Sequence, residues 1–167
     1  SKLKMKADIS AFQKADFKRL EQLINKSNQF NLTTKRYSYQ DISNIKNSKN
    51  YLTYQVRLSD IYGDNGLIAI IIVNNKDKEF IIDTWIQSCR ILERKVENLI
   101  LNVLIKEASK LKVSKLIGYY KPTKKNSIVL NHYKKLGFEN INENSEKSTW
   151  ELKLKNYSKP LIPIDLI

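Results

Sequence analysis

Apolar and polar residues alternate from Leu3 to Ile9, which puts Leu3, Met5, Ala7 and Ile9 on one face of a short strand. Phe17, Leu20, Leu23 and Ile24 then recur at helical spacing and predict a helix from Gln13 to Ser27, broken by the polar run Asn28 to Asn31. Ser38 with Asp41 three positions on is a variant capping box and opens a second, weaker helix to Lys46. Leu52, Tyr54, Val56 and Leu58 alternate with Thr53, Gln55 and Arg57, as in a half-buried strand. A turn at Tyr62 to Gly66 leads to the continuous apolar run Leu67 to Val73, and a turn at Asn74 to Asp77 leads to Phe80 to Ile86. These three segments read as an antiparallel meander.

The strand ending at Ile86 runs into a tight polar bend, Gln87 to Arg90, and then a long helix with Leu92, Val96, Leu99, Val103, Ala108 and Leu111 on one face. Such a bend offers free backbone N–H groups and a positive dipole end, the physics of an anion site. A strand Lys115 to Tyr120 follows, then a loop with Pro122 and a helix N-capped by Asn126, carrying Val129, Tyr133 and Leu136 and stopping at Gly137. Phe138 to Ile141 and Thr149 to Leu154 complete the strands. The order β-α-α-β-β-β-α-β-α-β-β implies an α/β (α+β) fold, a mixed central sheet flanked by helices. One domain over residues 1–156 is expected, with an irregular tail over 157–167 that contains Pro160 and Pro163.

Composition narrows the function classes. At 167 residues, 41% hydrophobic and 28% charged, the chain has the composition of a soluble globular domain. Its longest apolar run is far short of the roughly 18 residues a membrane span needs, and it shows no signal peptide, so a cytoplasmic protein without a membrane partner is expected. One cysteine and one histidine exclude a disulfide framework and argue against a structural zinc site, so no metal is expected. A first residue Ser1 that enters a strand almost at once fits a piece of a longer polypeptide. The net charge of +13 is either a lysine-rich solvated surface or an attraction to an acidic partner, such as a phosphorylated cofactor or an acidic carrier protein. Nucleic acid is not expected, because no aromatic RNP run, GXXG loop or basic-plus-heptad segment is present.

The element order, with HYKKLGF at His132 to Phe138, resembles the GNAT acyltransferase fold, whose motif lY-x-x-LGF ends the corresponding helix. More specifically, NQFNLTTKRYS (Asn28 to Ser38), YGDNGLI (Tyr62 to Ile68), IDTWIQSCRIL (Ile82 to Leu92) and YYKPTKKN (Tyr119 to Asn126) together resemble the C-terminal GNAT-like domain of FkbH-like proteins. The resemblance implies a domain normally joined to an N-terminal phosphatase-like domain of the HAD superfamily. It further implies transfer of a glyceryl unit to the phosphopantetheine thiol of an acyl carrier protein, by way of an enzyme thioester.

Cys89 is the candidate acyl-accepting thiolate: it precedes Arg90 at a predicted helix N-terminus, two features that raise thiolate content, and the family's SCR matches it. A small buried hydrophobe is the alternative. Arg90 to Lys95 stand where the GNAT pyrophosphate loop R/Q-x-x-G-x-G/A belongs, with Glu93 and Lys95 replacing its small residues. Arg90, Arg94 and Lys95, with Asn126, are the candidate contacts to a coenzyme A or phosphopantetheine cofactor, the first three being otherwise a basic first helical turn. Asp83, inside an apolar strand, is expected to face a cleft or a paired cation, with a general-base role open to it. Tyr133 matches the GNAT tyrosine that can protonate a departing thiolate, or is a core aromatic. His132 reads as a surface helix histidine ahead of a base for Cys89. Asn28, Gln29 and Asn31 are candidates to line an acceptor site with Lys125 and Asn126 opposite, against cap and loop duties that explain them nearly as well. The remaining alternatives are a non-catalytic module that binds carrier protein or coenzyme A, and a small-molecule N-acetyltransferase.

Overall fold

A computed structural model describes residues 4–89 and 95–167. Strand β1 (Met5–Ser10) leads through a 3-10 turn, Lys14–Asp16, into helix α1 (Phe17–Lys26), and α2 follows (Tyr39–Asn47). The meander is β2 (Tyr51–Asp60), β3 (Gly63–Lys76) and β4 (Glu79–Gln87). Helix α3 (Val96–Lys110) returns the chain to β5 (Lys115–Tyr120), and α4 is a single turn, His132–Lys135, after a 3-10 turn Ser127–Val129. Strands β6 (Glu139–Glu143), β7 (Ser148–Lys153) and β8 (Ile164–Leu166) finish the chain.

The described residues form one eight-stranded sheet in the order β6-β7-β5-β4-β3-β2-β1-β8. Its pairings are antiparallel except β4 with β5 and β1 with β8. Helices cover both faces, which is why Leu67 to Val73 is apolar without alternation: each of its residues is buried. Phe80, Ile82, Trp85, Ile100, Leu104 and Leu116 share one core, and Phe17, Leu20, Ile24, Ile42, Ile70 and Ile86 share the other. The Ser38–Asp41 capping box forms as the sequence predicts. Asp77 and Lys78, both at positive φ, make the tight β3–β4 turn, two residues later than the Asn74 to Asp77 turn read from the sequence.

Other expectations are corrected. The apolar tail supplies strand β8, which pairs Met5 with Ile164 and Ala7 with Leu166. Strand β2 is not half-buried, because Thr53 and Gln55 are buried too and accept hydrogen bonds from the Phe12 and Gln13 amides. On α3 the buried residues are Val96, Leu99, Ile100, Leu101, Leu104 and Ala108, whereas Leu111 is exposed and Leu92 lies outside the described residues. Apolar residues surround so much of that helix that more than one face satisfies the spacing. Asn126 does not cap a continuous helix, because a 3-10 turn and the short α4 replace it. Gly137 does close that segment, at φ 91°.

One irregularity shapes the site. In the β3–β4 ladder Ile72 faces Thr84 and Val73 faces Ile82, so Asp83 is an extra, bulged residue. The bulge shifts the phase of β4, and Phe80, Ile82 and Trp85 reach the α3 core while Ile86 reaches the α1 core. It also bends β4 away from β5, whose pairing with it ends at Ile82 and Gly118.

Candidate functional site

Beyond Ile82 and Gly118 the parallel strands part, and the chain's own segment after α1 enters the opening. The Leu32 amide donates to the Trp85 carbonyl at 3.2 Å, and the Gln87 amide donates to the Phe30 carbonyl at 3.0 Å, an antiparallel bridge centred on Asn31 and Ile86. On the other side, the Lys121 amide donates to the Leu32 carbonyl at 2.8 Å. The Asn126 side-chain amide donates to the Asn31 carbonyl at 3.0 Å and to the Lys121 carbonyl at 2.9 Å. Residues 30–32 thus act as a short strand between β4 and the end of β5.

Polar contacts hold this segment at both ends. Arg36 donates to the Ile24 and Ser27 carbonyls at the C-terminus of α1 and to the Asn28 side chain. Asn31 donates to the Ser27 carbonyl at 3.1 Å and accepts from the Thr34 amide at 2.9 Å. The Thr33 hydroxyl donates to the Asp83 carbonyl at 2.9 Å, and Lys35 pairs with the Asp83 carboxylate. The bulged acid therefore has the paired cation expected of it.

Phe30 is buried and lines two cavities, one on each side of the inserted segment. The larger, about 760 Å³, lies beside α1 and is bordered by Gln29, Ile70, Gln87 and Cys89, with Lys26, Lys124 and Lys125. Cys89 is exposed, and its thiol donates to the side-chain oxygen Oε1 of Gln29 at 3.4 Å. The smaller, about 430 Å³, lies between α3 and α4 and is bordered by Lys95, Asn98, His132 and Lys135.

The proposed site residues therefore separate. Cys89, Asn28, Gln29 and Lys125 border one cavity. Asn31 and Asn126 are wholly buried and spend their side chains on the inserted segment rather than facing a ligand. Asp83 belongs to the bulge and its Lys35 pair. Tyr133 is buried with its hydroxyl unpartnered among the described residues, and burial pushes its pKa well up. Its ring lies against Gly118, where an added Cβ would come 2.4 Å from it. His132 is buried rather than on the surface, edge-on to Trp85 at 4.4 Å and to Phe30 at 5.4 Å, and its Nε2 has no partner among the described residues. Burial, then the charge of Lys135, lowers its pKa to about 3, so the imidazole is neutral. Helix α3 begins at Val96, so Cys89 is not at its first turn. Arg90, Glu93 and Arg94 lie outside the described residues. Lys95 takes the left-handed conformation, φ 60° and ψ 21°, that a glycine adopts without strain.

Sequence reasoning missed Phe30, Lys26, Lys35 and Gln87. The signal for Phe30 was a lone aromatic inside the polar run Asn28 to Asn31, a place where a mere helix breaker needs no large apolar side chain.

No family model and no curated protein matches this chain. Solved structures do. The ribosomal-protein-S18-alanine N-acetyltransferase from Escherichia coli superposes with a TM-score of 0.66 at 16% identity, over 93% of this chain and 98% of that one. The spermidine N-acetyltransferase from Vibrio cholerae, in complex with CoA and spermine, gives 0.68 at 12% identity, over 90% and 96%. The PaiA N-acetyltransferase from Thermoplasma acidophilum, in complex with coenzyme A, gives 0.64 at 16% identity, over 88% and 98%. The fold is the GNAT acyltransferase fold.

That fold brings coenzyme A into question, and the residues present answer in two parts. Lys95 and Lys135 offer charge for phosphates beside α3 and α4. The pantetheine arm, an extended chain with two amides, needs a free strand edge to pair with. In this chain the Trp85 carbonyl and Gln87 amide along that edge of β4 are already paired with Leu32 and Phe30. The arm does not fit between β4 and β5 as the structure stands.

Proposed function

We propose that the domain is an acyltransferase working by thioester exchange, with Cys89 accepting an acyl group and passing it to the phosphopantetheine thiol of an acidic acyl carrier protein. The observation that carries this is the exposed Cys89 thiol at the border of a lysine-rimmed cavity large enough for a small acyl group. In the first step the Cys89 sulfur bonds to the acyl carbon and the donor's leaving group departs. In the second, the acceptor thiolate bonds to that carbon and the Cys89 thiolate is released. The glyceryl identity of the acyl group, and a HAD-like phosphatase partner to prepare it, are supported by the four FkbH-like sequence blocks.

The cavity's lysines favour an anionic acyl group or partner and repel a cationic polyamine, which argues against N-acetylation of such a substrate here. The filled β4–β5 opening favours a second reading, a non-catalytic carrier-protein-binding module, which predicts binding without loading of Cys89. The test is discharge: protein acylated on Cys89 is mixed with a pantetheine-bearing acidic carrier protein and the carrier is weighed. Acyl transfer that slows by about tenfold or more when salt rises from low to near-molar supports the proposal. Carrier that stays unacylated contradicts it.

A further inference from the structure

We propose that residues Phe30–Leu32 are the resident occupant of the β4–β5 opening, so that coenzyme A takes no place there and a thiol reacting with Cys89 arrives through the lysine-rimmed cavity beside α1. The first half stands on the backbone pairing alone. The second rests on Cys89 being the reacting thiol of the proposed function.

Hydrogen-bond accounting carries the first half. The Trp85 carbonyl, Gln87 amide, Lys121 amide and Asn126 side-chain amide, the groups an inserted arm would have to take over, are each satisfied within the chain. An arm entering the opening would break the two bridge bonds, strand the Lys121 amide and the Asn126 side chain, and expel the buried side chains of Phe30 and Leu32. Each bond lost without replacement weakens binding by about fivefold or more. The segment is also held from outside the opening, by Arg36 at one end and by Thr33 and Lys35 on the Asp83 bulge at the other. The bulge that parts the strands and the segment that fills the gap are thus bonded to each other.

Geometry supports the second half. Phe30 forms part of the wall of both cavities, and Cys89 borders the one beside α1. The cavity that holds Cys89 opens among Lys26, Lys124 and Lys125, a cationic border suited to the phosphate of an incoming phosphopantetheine.

Two measurements test this on the whole chain. Amide hydrogen exchange is followed with and without millimolar coenzyme A. The Leu32 and Gln87 amides are expected to keep their protection, and a tenfold or greater acceleration at Leu32 on adding coenzyme A overturns the proposal. Next, Cys89 is converted with dithio-bis-nitrobenzoate to a mixed disulfide, and coenzyme A is added. Its thiolate attacks the Cys89 sulfur, forms a new disulfide and expels coloured thionitrobenzoate. The double variant Lys124→Glu, Lys125→Glu should slow this release by about tenfold, while Lys106→Glu, Lys110→Glu, on the exposed side of α3, should leave it unchanged. Slowing by the second pair, or indifference to the first, overturns the route. If Cys89 never forms a thioester, the proposed function fails but the exchange result stands.

Discussion

His132 is held neutral inside the α3–α4 core, and that has a pH signature. Its folded pKa of about 3 lies below the unfolded value of 6.5, so between them the unfolded chain binds the extra proton. Stability is therefore complete above the unfolded pKa and falls as pH drops towards the folded one. The loss should reach about 3 kcal/mol by roughly pH 4, and His132→Phe should flatten the lower part of a denaturation-midpoint profile. The sequence could not show this burial. Continuous helical phase would put His132 outside, but the interruption between the 3-10 turn and α4 turns it onto Trp85. Asn126 was hidden for a different reason. As an N-cap or ligand its role would be local, whereas beside its local bonds it also donates to the Asn31 carbonyl, 95 residues away in sequence. Asp83 was legible, because a carboxylate in an apolar strand calls for a cation, and Lys35 supplies it.

Among the elements, the meander, the capping box and strand β5 follow from patterning, since alternation and caps are local. The bulge in β4 is not local. It shows in the sequence only as Ile82 and Trp85, three apart, both belonging with the same core. In the sequence the inserted segment shows only as part of the polar break after a helix, because three residues are too few to reveal a strand by period. The contact of Tyr133 with Gly118 is where element packing can be tested. A methyl group there would sit 2.4 Å from the ring, so Gly118→Ala must push α4 off β5. A loss of about 1–3 kcal/mol in chemical denaturation is expected, as for overpacked cores generally.

At the level of the whole molecule, the mixed α/β architecture was legible because the order of elements restricts the topology. The edge strand β8 was not, because prolines at 160 and 163 precede it and only three residues pair. The net charge of +13 gains direction from the structure: Lys26, Lys124 and Lys125 gather at the cavity that Cys89 borders, and Phe30 stands between it and the second cavity. A domain of the GNAT fold thereby has a filled β4–β5 opening and an exposed thiol. The most direct measurement is intact mass, taken after incubation with an activated small acyl donor, on the native chain and on Cys89→Ser side by side. The thiol mechanism predicts a single hydroxylamine-labile acyl adduct on the native chain and none on the variant. The same adduct on both, or none on either, would contradict it.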